Sequence, residues 1–340
     1  MPGGGWEAGL SASTIYDVAR RAGVSISTVS LAFNNPVRVT QSTLDRILAA
    51  ADELSYLPKT EAVTRARRGV GRIGVMAPFT SYPSFARRLN GILRATRDLP
   101  WEIVVYDQGS AAATSPTLST IPLTRRLDGL VIMSLPVDPK VAHRLVEQKL
   151  PTVLVDLEHP NFSSVAIADA EGGRIVAEHL HARGHTRLGC VTERKKGQPA
   201  TLPQEARLDT FRSTLAGFGT QLPDSRIRRV DYGVEPARRA AHELLDLPEP
   251  PTAIFAHDDL IAVGVLKAAR ERGLRVPDEL AVVGFDDSDV AEPLGLTTVR
   301  QPLEESGTIA IQTLLDQLSD PDRSMRHIVL RLTLVERDTT

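Results

Sequence analysis

The chain has 340 residues, 42% of them hydrophobic and 24% charged, with a formal net charge of −2 and a single cysteine. That length exceeds one ordinary domain, and the composition suits a globular protein with a sizeable core. It excludes a polycation, an internal disulfide and a thiolate metal site, so any contact with a polyanion must come from a local patch.

The opening stretch MPGGGWEAGLSAS has no basic start and no apolar core of signal length, and it reads as a flexible tail over residues 1–13. No run approaches the roughly 18 apolar residues of a membrane span. A cytoplasmic location without a membrane partner is expected.

Residues 14–34, TIYDVARRAGVSISTVSLAFN, begin a helix, break it at Gly23 and restart at once behind a serine. The first helix buries Ile15, Val18, Ala19 and Ala22 on one face. Gly23 tolerates the positive φ that a sharp helix end needs, Val24 plugs the corner, and Ser25 caps a second helix that buries Val29, Ala32 and Phe33. The opposite face shows Ile26, Ser27, Ser30 and Leu31, short side chains where a purely solvated helix would carry Lys and Glu. A short-side-chained helix behind a glycine turn is what a helix-turn-helix needs to enter the major groove. Hydroxyls at its positive end can hold phosphates.

Thr40 then caps a third helical pattern, QSTLDRILAAADELSY, whose Leu44, Ile47, Leu48, Ala51 and Leu54 close a small three-helix core. From Thr14 to Arg68 there are eight basic residues against five acidic ones, a positive patch in a chain of negative total. Residues 58–71, PKTEAVTRARRGVG, have linker composition. GVGRIG (69–74) fits a dinucleotide fingerprint, but its glycines precede a strand instead of following one, so no nicotinamide site is expected there.

From Arg72 onward, solid apolar runs alternate with amphipathic helices. The strands are RIGVMAP, EIVVYD, GLVIMS, TVLV, RLGCV, TAIFA and LAVVGF; helical patterns such as FARRLNGILRATRDL, GRIVAEHLHARG and LIAVGVLKAARERG lie between them. Unbroken apolar strands are buried on both faces, and βαβ repetition makes parallel, doubly wound sheets. Some 270 residues divide most economically into two α/β lobes around a cleft. Cys190, inside LGCVT, reads as a buried strand residue. The acidic runs HDD (257–259) and DDSD (286–289) lack EF-hand or zinc spacing and suit capping and lobe packing. No metal, cofactor or catalytic constellation is implied.

The segment TIYDVARRAGVSISTVSLAFN, followed by VT (39–40) and AADELSYLP (50–58), resembles the headpiece of the LacI/GalR family of bacterial transcription regulators. HARGHTRLGCV, TAIFAHDDLIAVGVLKAARERGLRVPDELAVVGFDD and LTTVRQPLEESG resemble that family's effector domain, which has the fold of periplasmic sugar-binding proteins. The resemblance implies an α/β chain made of an N-terminal three-helix headpiece (14–58), a hinge (59–71) and a two-lobed, type I periplasmic-binding-protein-like domain (72–340). In the latter, the N-lobe takes about 72–166 plus 301–325 and the C-lobe about 167–298 plus 326–340.

By the same resemblance, Ile26, Ser27 and Leu31 read bases, and Thr14, Ser25, Thr28, Ser30 and Asn34 contact phosphates, with Arg38 in the basic patch. In the hinge, Ala62 matches a small family residue. Arg65 falls where the family has a leucine that wedges into the minor groove, a departure that exchanges apolar insertion for response to groove potential. In the effector domain, Phe79 and Phe85 stack on a sugar face and Arg207 clamps hydroxyls or a charge. Tyr232 walls the ligand, Asp286 accepts hydroxyls, Gln301 lies near the crossover, and Asp169 is near a polar position. His257 replaces an asparagine, which would change the bonding to the effector and bring pH dependence.

The expected protein is a homodimeric, sequence-specific repressor on a pseudo-palindromic double-stranded operator, controlled by a small molecule, by family default a carbohydrate. The rival readings are a transport-type solute-binding protein, which would need a signal peptide and no headpiece, and a sugar-processing enzyme, which would need catalytic groups at the strand ends.

Overall fold

A computed structural model of the chain describes residues 13–56, 70–78, 82–108, 116–124, 126–194 and 203–340. The linker with Ala62 and Arg65, and Phe79 beyond the first strand, lie outside them.

The headpiece is three helices: α1 (Ile15–Ala22), α2 (Ile26–Asn34) and α3 (Gln41–Glu53). Thr14 and Asp17 form a reciprocal capping box on α1, and Gly23 ends it in the left-handed region at φ +65°. Ser25 caps α2 by accepting from the Thr28 N–H at 3.1 Å. Val18, Val29, Ala32, Phe33, Leu44, Ile47 and Leu48 meet in one core. Two details differ from the sequence reading. Thr40 stands at the N-cap of α3 without a side-chain bond to the backbone; its hydroxyl donates to Thr43 Oγ1 at 2.9 Å. The helix also stops at Glu53, so Tyr56 packs as a loop residue, its ring 6.0 Å from that of Phe33.

The first lobe begins with β1 (Gly71–Pro78), α4 (Pro83–Thr96), β2 (Trp101–Gln108), α5 (Pro116–Thr124), β3 (Gly129–Met133), α6 (Pro139–Glu147), β4 (Thr152–Val155) and β5 (Ser163–Ile167). The second takes α7 (Asp169–Ala182), β6 (Leu188–Glu193), α8 (Pro203–Gly217), β7 (Ile227–Val230), α9 (Val234–Leu245), β8 (Ala253–Ala256), α10 (Asp259–Glu271), β9 (Ala281–Asp286) and β10 (Thr297–Arg300). The chain then re-enters the first lobe as α11 (Leu303–Ser319) and β11 (His327–Leu330), and ends with β12 (Thr333–Val335) in the second. The sheet orders are β11-β5-β4-β3-β1-β2 and β12-β10-β9-β8-β6-β7, parallel except for the β10–β12 pair. Because His327–Leu330 pairs with Ser164–Ile167, the last crossing falls after Leu330. Residues 326–330 therefore belong with the N-lobe sheet, not with the C-lobe as expected.

Why the strands read as unbroken apolar runs is visible in β1. Ile73, Val75 and Ala77 face α4 and α11, while Met76 faces α5 and α6. In β8, Ala253 and Phe255 face α7 and α8, and Ile254 and Ala256 face α9 and α10. Each sheet is covered on both sides, so successive residues are apolar whichever face they point to. Cys190 lies fully buried in β6, where desolvation pushes its thiol up to about 12; it packs as a small apolar residue. Gly71 and Gly74 lie within a strand and open no helix, which removes the dinucleotide reading of GVGRIG.

Candidate functional site

Two sites emerge, one on the headpiece and one where the strand ends of the two lobes meet.

On the headpiece, α2 presents Ile26, 40% exposed, and Leu31, 36% exposed, beside exposed Ser27. Ser25 Oγ lies 2.7 Å from both Ser27 Oγ and Thr28 Oγ1, so three hydroxyls cluster at the positive end of the helix. Asn34 donates to the Ser30 carbonyl at 2.8 Å and to its hydroxyl at 3.2 Å. Arg38 is exposed in a 3-10 turn after α2. Thr14 is tied to Asp17, its hydroxyl donating at 2.6 Å. That bond, followed by the Arg20 charge, holds the Asp17 carboxyl below the usual range. The structure thus gathers Ser25, Ile26, Ser27, Thr28, Ser30, Leu31 and Asn34 on one helix with its N-cap, with Thr14 spent largely on capping.

Between the lobes, the second lobe contributes from the carboxyl ends of its strands, where open α/β sheets bind ligands. Arg207 of α8 is 3% exposed. It is ion-paired to Asp169 at the start of α7, donates to the His257 carbonyl at 2.8 Å, and sits 3.3 Å above the Phe285 ring centroid. Gln301 donates to Asp286, whose backbone is held at φ +110°. Strain of that kind collects at ligand-gripping positions. Tyr232 donates to Asp258 at 3.3 Å. Asp169, Arg207, His257, Asp286, Gln301 and Tyr232 therefore come together from α7, α8 and the ends of β7 to β10.

His257 does not behave as a pH sensor. It is buried, its Nδ1 lies 3.0 Å from Thr192 Oγ1, and its ring packs 4.7 Å from Phe255. Desolvation, helped by the Arg207 charge, lowers its affinity for a proton well below the ordinary histidine value, so it stays neutral at physiological pH. The acidic runs act as the sequence suggested. Asp258 caps α10 by accepting from the Leu260 N–H at 2.6 Å. Asp259 accepts from Thr298 and from the Ser288 N–H, each at 2.6 Å, while burial and then the Asp286 charge raise it to about 7.

The first lobe supplies groups that the sequence reading missed. Arg88 of α4 pairs with Asp156 at 2.8 Å, both side chains 5% exposed, and Ser134 donates to the same carboxylate. Arg87 donates across the cleft to the Asp287 carbonyl at 2.9 Å. Tyr82 stacks on Tyr232 with ring centroids 4.1 Å apart and donates to Glu193 at 2.8 Å. Phe85 packs partly into the N-lobe core, its ring centroid 5.8 Å from the Arg88 guanidinium. Among the described residues, Arg88 Nε, Arg207 Nε and His257 Nε2 are buried without a hydrogen-bond partner.

Known proteins match both parts of the chain. Residues 14–59 match the model of bacterial regulatory proteins of the lacI family, and residues 177–340 match that of a periplasmic binding protein-like domain. The transcriptional repressor CytR of Escherichia coli strain K12 is 32% identical over 319 residues, covering 91% of this chain and 90% of its own length. The chain belongs to the LacI family. Among solved structures, the Lac repressor dimer bound to operator and the anti-inducer ONPF aligns at 26% identity over 97% of this chain and 99% of its own, with TM-score 0.69. The CelR–cellobiose complex aligns at 26% identity over 96% and 100%, with TM-score 0.68. As a LacI-family chain it is a DNA-binding transcription regulator controlled by an effector. Among the described residues no helix is long and apolar enough to cross a membrane.

Proposed function

We propose that the chain is a homodimeric repressor whose paired headpieces read a pseudo-palindromic operator, and whose operator affinity is set by a carbohydrate held between its lobes. Ile26, Ser27 and Leu31 contact base edges: two apolar tips suit thymine methyls, and a serine bonds several bases with little selectivity. Ser25, Thr28, Ser30, Asn34 and Arg38, with Thr14, meet phosphates. Arg65 and Ala62 form the hinge contacts. Asp169, Arg207, His257, Asp286, Gln301 and Tyr232, together with Phe79 and Phe85, hold the effector.

The observation that supports the carbohydrate most is the meeting of buried polar atoms that lack a partner with carboxylates at the strand ends. Arg207 Nε and His257 Nε2 are buried and unpartnered close to Asp286, beside an aromatic wall at Tyr232. A polyol offers an acceptor and a donor at every hydroxyl and an apolar ring face, so it satisfies all of these at once. The carboxylates are engaged in caps, hydrogen bonds and ion pairs and the one thiol is buried, which supports a sensing role for the cleft. Cytoplasmic action follows from the partner, which is chromosomal DNA.

The test is a carbohydrate panel scored by melting temperature, followed by operator binding with each hit. A ligand at one hundred times its dissociation constant raises native stability by about 2.7 kcal/mol. The reading fails if fragments flanking the gene bind no better than scrambled DNA with or without any sugar that stabilises the protein.

A further inference from the structure

The seam between the headpiece and the first lobe is made of side chains that neither read bases nor line the cleft. Leu123 of α5, 3% exposed, is buried in the headpiece core, among residues of α1, α2 and α3. From α6, Arg144 grips Asp52 of α3: its Nε lies 3.0 Å from both carboxylate oxygens and its Nη2 2.6 Å from one of them. The Arg144 side chain is 8% exposed. Arg126, following α5, donates to the Asn34 side chain at the end of α2. A guanidinium withdrawn from water that far is tolerated only with its partner in place, and a forked contact fixes orientation as well as distance.

Two features show what kind of joint this is. Ile26 and Leu31 remain 40% and 36% exposed, so docking leaves the face that meets bases open. A groove of about 410 Å³, lined by Thr14, Tyr16, Phe33, Tyr56, Thr124 and Arg126 among others, runs along the same seam. The joint is therefore one apolar anchor at Leu123, one forked ion pair and one hydrogen bond beside an open groove, few enough contacts for a single charge reversal to release it.

We propose that this seam is a lock that makes the headpiece and the N-lobe of one protomer move as one body. N-lobe rotation then reorients α2 directly, besides acting through the linker. The mechanical half of this rests on the seam alone; its effect on DNA rests on the regulatory reading above.

The full-length protein carries a nitroxide at Gln41→Cys, on the exposed start of α3, the native Cys190 being buried. Its motion is measured without DNA. The label on otherwise native protein should tumble at the slow rate of the whole molecule. Asp52→Arg and Arg144→Asp, each alone, should release it to fast motion, and the double reversal should slow it again. Asp52→Asn, at a half-exposed position that leaves the headpiece core untouched, should release it partly. In parallel, operator affinity should fall roughly tenfold in each single reversal and recover in the double. Fast motion in the native protein, slow motion in both single reversals, or no recovery in the double overturns the lock. Failure of the native protein to bind operator sinks the regulatory reading, and the label still decides the lock.

Discussion

The imidazole of His257 shares its Nδ1 edge with Thr192 and is closed over by Phe255, so its neutral form is fixed by packing. This has a consequence for stability. The folded histidine binds a proton only well below the ordinary value, whereas in the unfolded chain it protonates near pH 6.5. Below that pH the unfolded state holds more protons, so stability is intact at neutral pH and is lost on acidification. The loss grows at up to roughly 1.4 kcal/mol for each pH unit below the unfolded value. His179 and His185 are lowered too, again by burial, and act with the same sign. Comparing the native protein with His257→Asn isolates the one residue: denaturant midpoints at pH 5 and pH 7 should separate more in the native protein. Between pH 6.5 and 8 any change in effector affinity belongs to Asp259, raised to about 7, and not to His257. A histidine that titrates in the folded state would instead give the two proteins parallel profiles.

The pair Arg207–Asp169 separates stability from binding. Arg207→Ala strands a buried carboxylate and should cost about 3–5 kcal/mol. Replacing both partners with leucine should regain most of that while effector binding stays abolished, as read by calorimetry against melting temperature. At this scale, legibility depended on position. Asp286, Gln301 and His257 could be named because they end or follow apolar strands, and Arg207 because its surroundings resemble a family motif. Tyr82, Arg87, Arg88, Asp156 and Glu193 could not: their partners lie 68 to 200 residues away, and no local pattern encodes which helix end faces which strand end.

Among the elements, the crossing of α4 and α11 rests on two glycines. A Cβ on Gly91 would lie 2.0 Å from the Glu304 carbonyl oxygen, and one on Gly307 would lie 2.0 Å from that of Arg88. Alanine improves intrinsic helix propensity by roughly 0.8–1.0 kcal/mol, but forcing two backbones apart costs about 1–3 kcal/mol. The steric cost wins here, because the obstacle is backbone on a helix that also positions Arg88 against Asp156. Gly307→Ala should therefore lower the denaturation midpoint and loosen effector binding, whereas Gly217→Ala, with open space at its Cβ, should not destabilise. The sequence made the long, unbroken strands visible, since burial on two faces leaves an apolar run. It did not show β5, β7, β10, β11 and β12, which are three to five residues long and carry basic or polar residues in SSVAI, IRRV, TTVR, HIVL and TLV. The same blindness placed residues 326–330 in the wrong lobe. A short edge strand is specified by what lies beside it, and only the fold reveals that.

For the molecule as a whole, the question is what holds the lobes at their angle. The contacts described across the cleft are few: the Tyr82–Tyr232 stack, the Tyr82–Glu193 hydrogen bond and the Arg87 bonds to the carbonyls of Asp286 and Asp287. An offset aromatic pair contributes about 0.5–1.5 kcal/mol, and a hydrogen bond to a carboxylate about 1.5–3 kcal/mol. Losing both shifts an open–closed equilibrium by at least tenfold, since 1.4 kcal/mol is one decade. An effector gripped from both sides binds the closed arrangement, so opening reduces its apparent affinity by the fraction still closed. Tyr82→Ala should accordingly weaken effector binding, by no more than the factor of that shift, and enlarge the radius of gyration of the unliganded protein. Tyr82→Phe, which keeps the ring and loses the hydroxyl, should fall between. Saturating effector should return all three proteins to one radius, because a ligand with enough differential affinity restores the closed population. If Tyr82→Ala binds effector as tightly as the native protein and scatters identically, the tyrosine stack is a passive surface contact and the lobe angle is set by the Arg87 bonds and the three chain crossings.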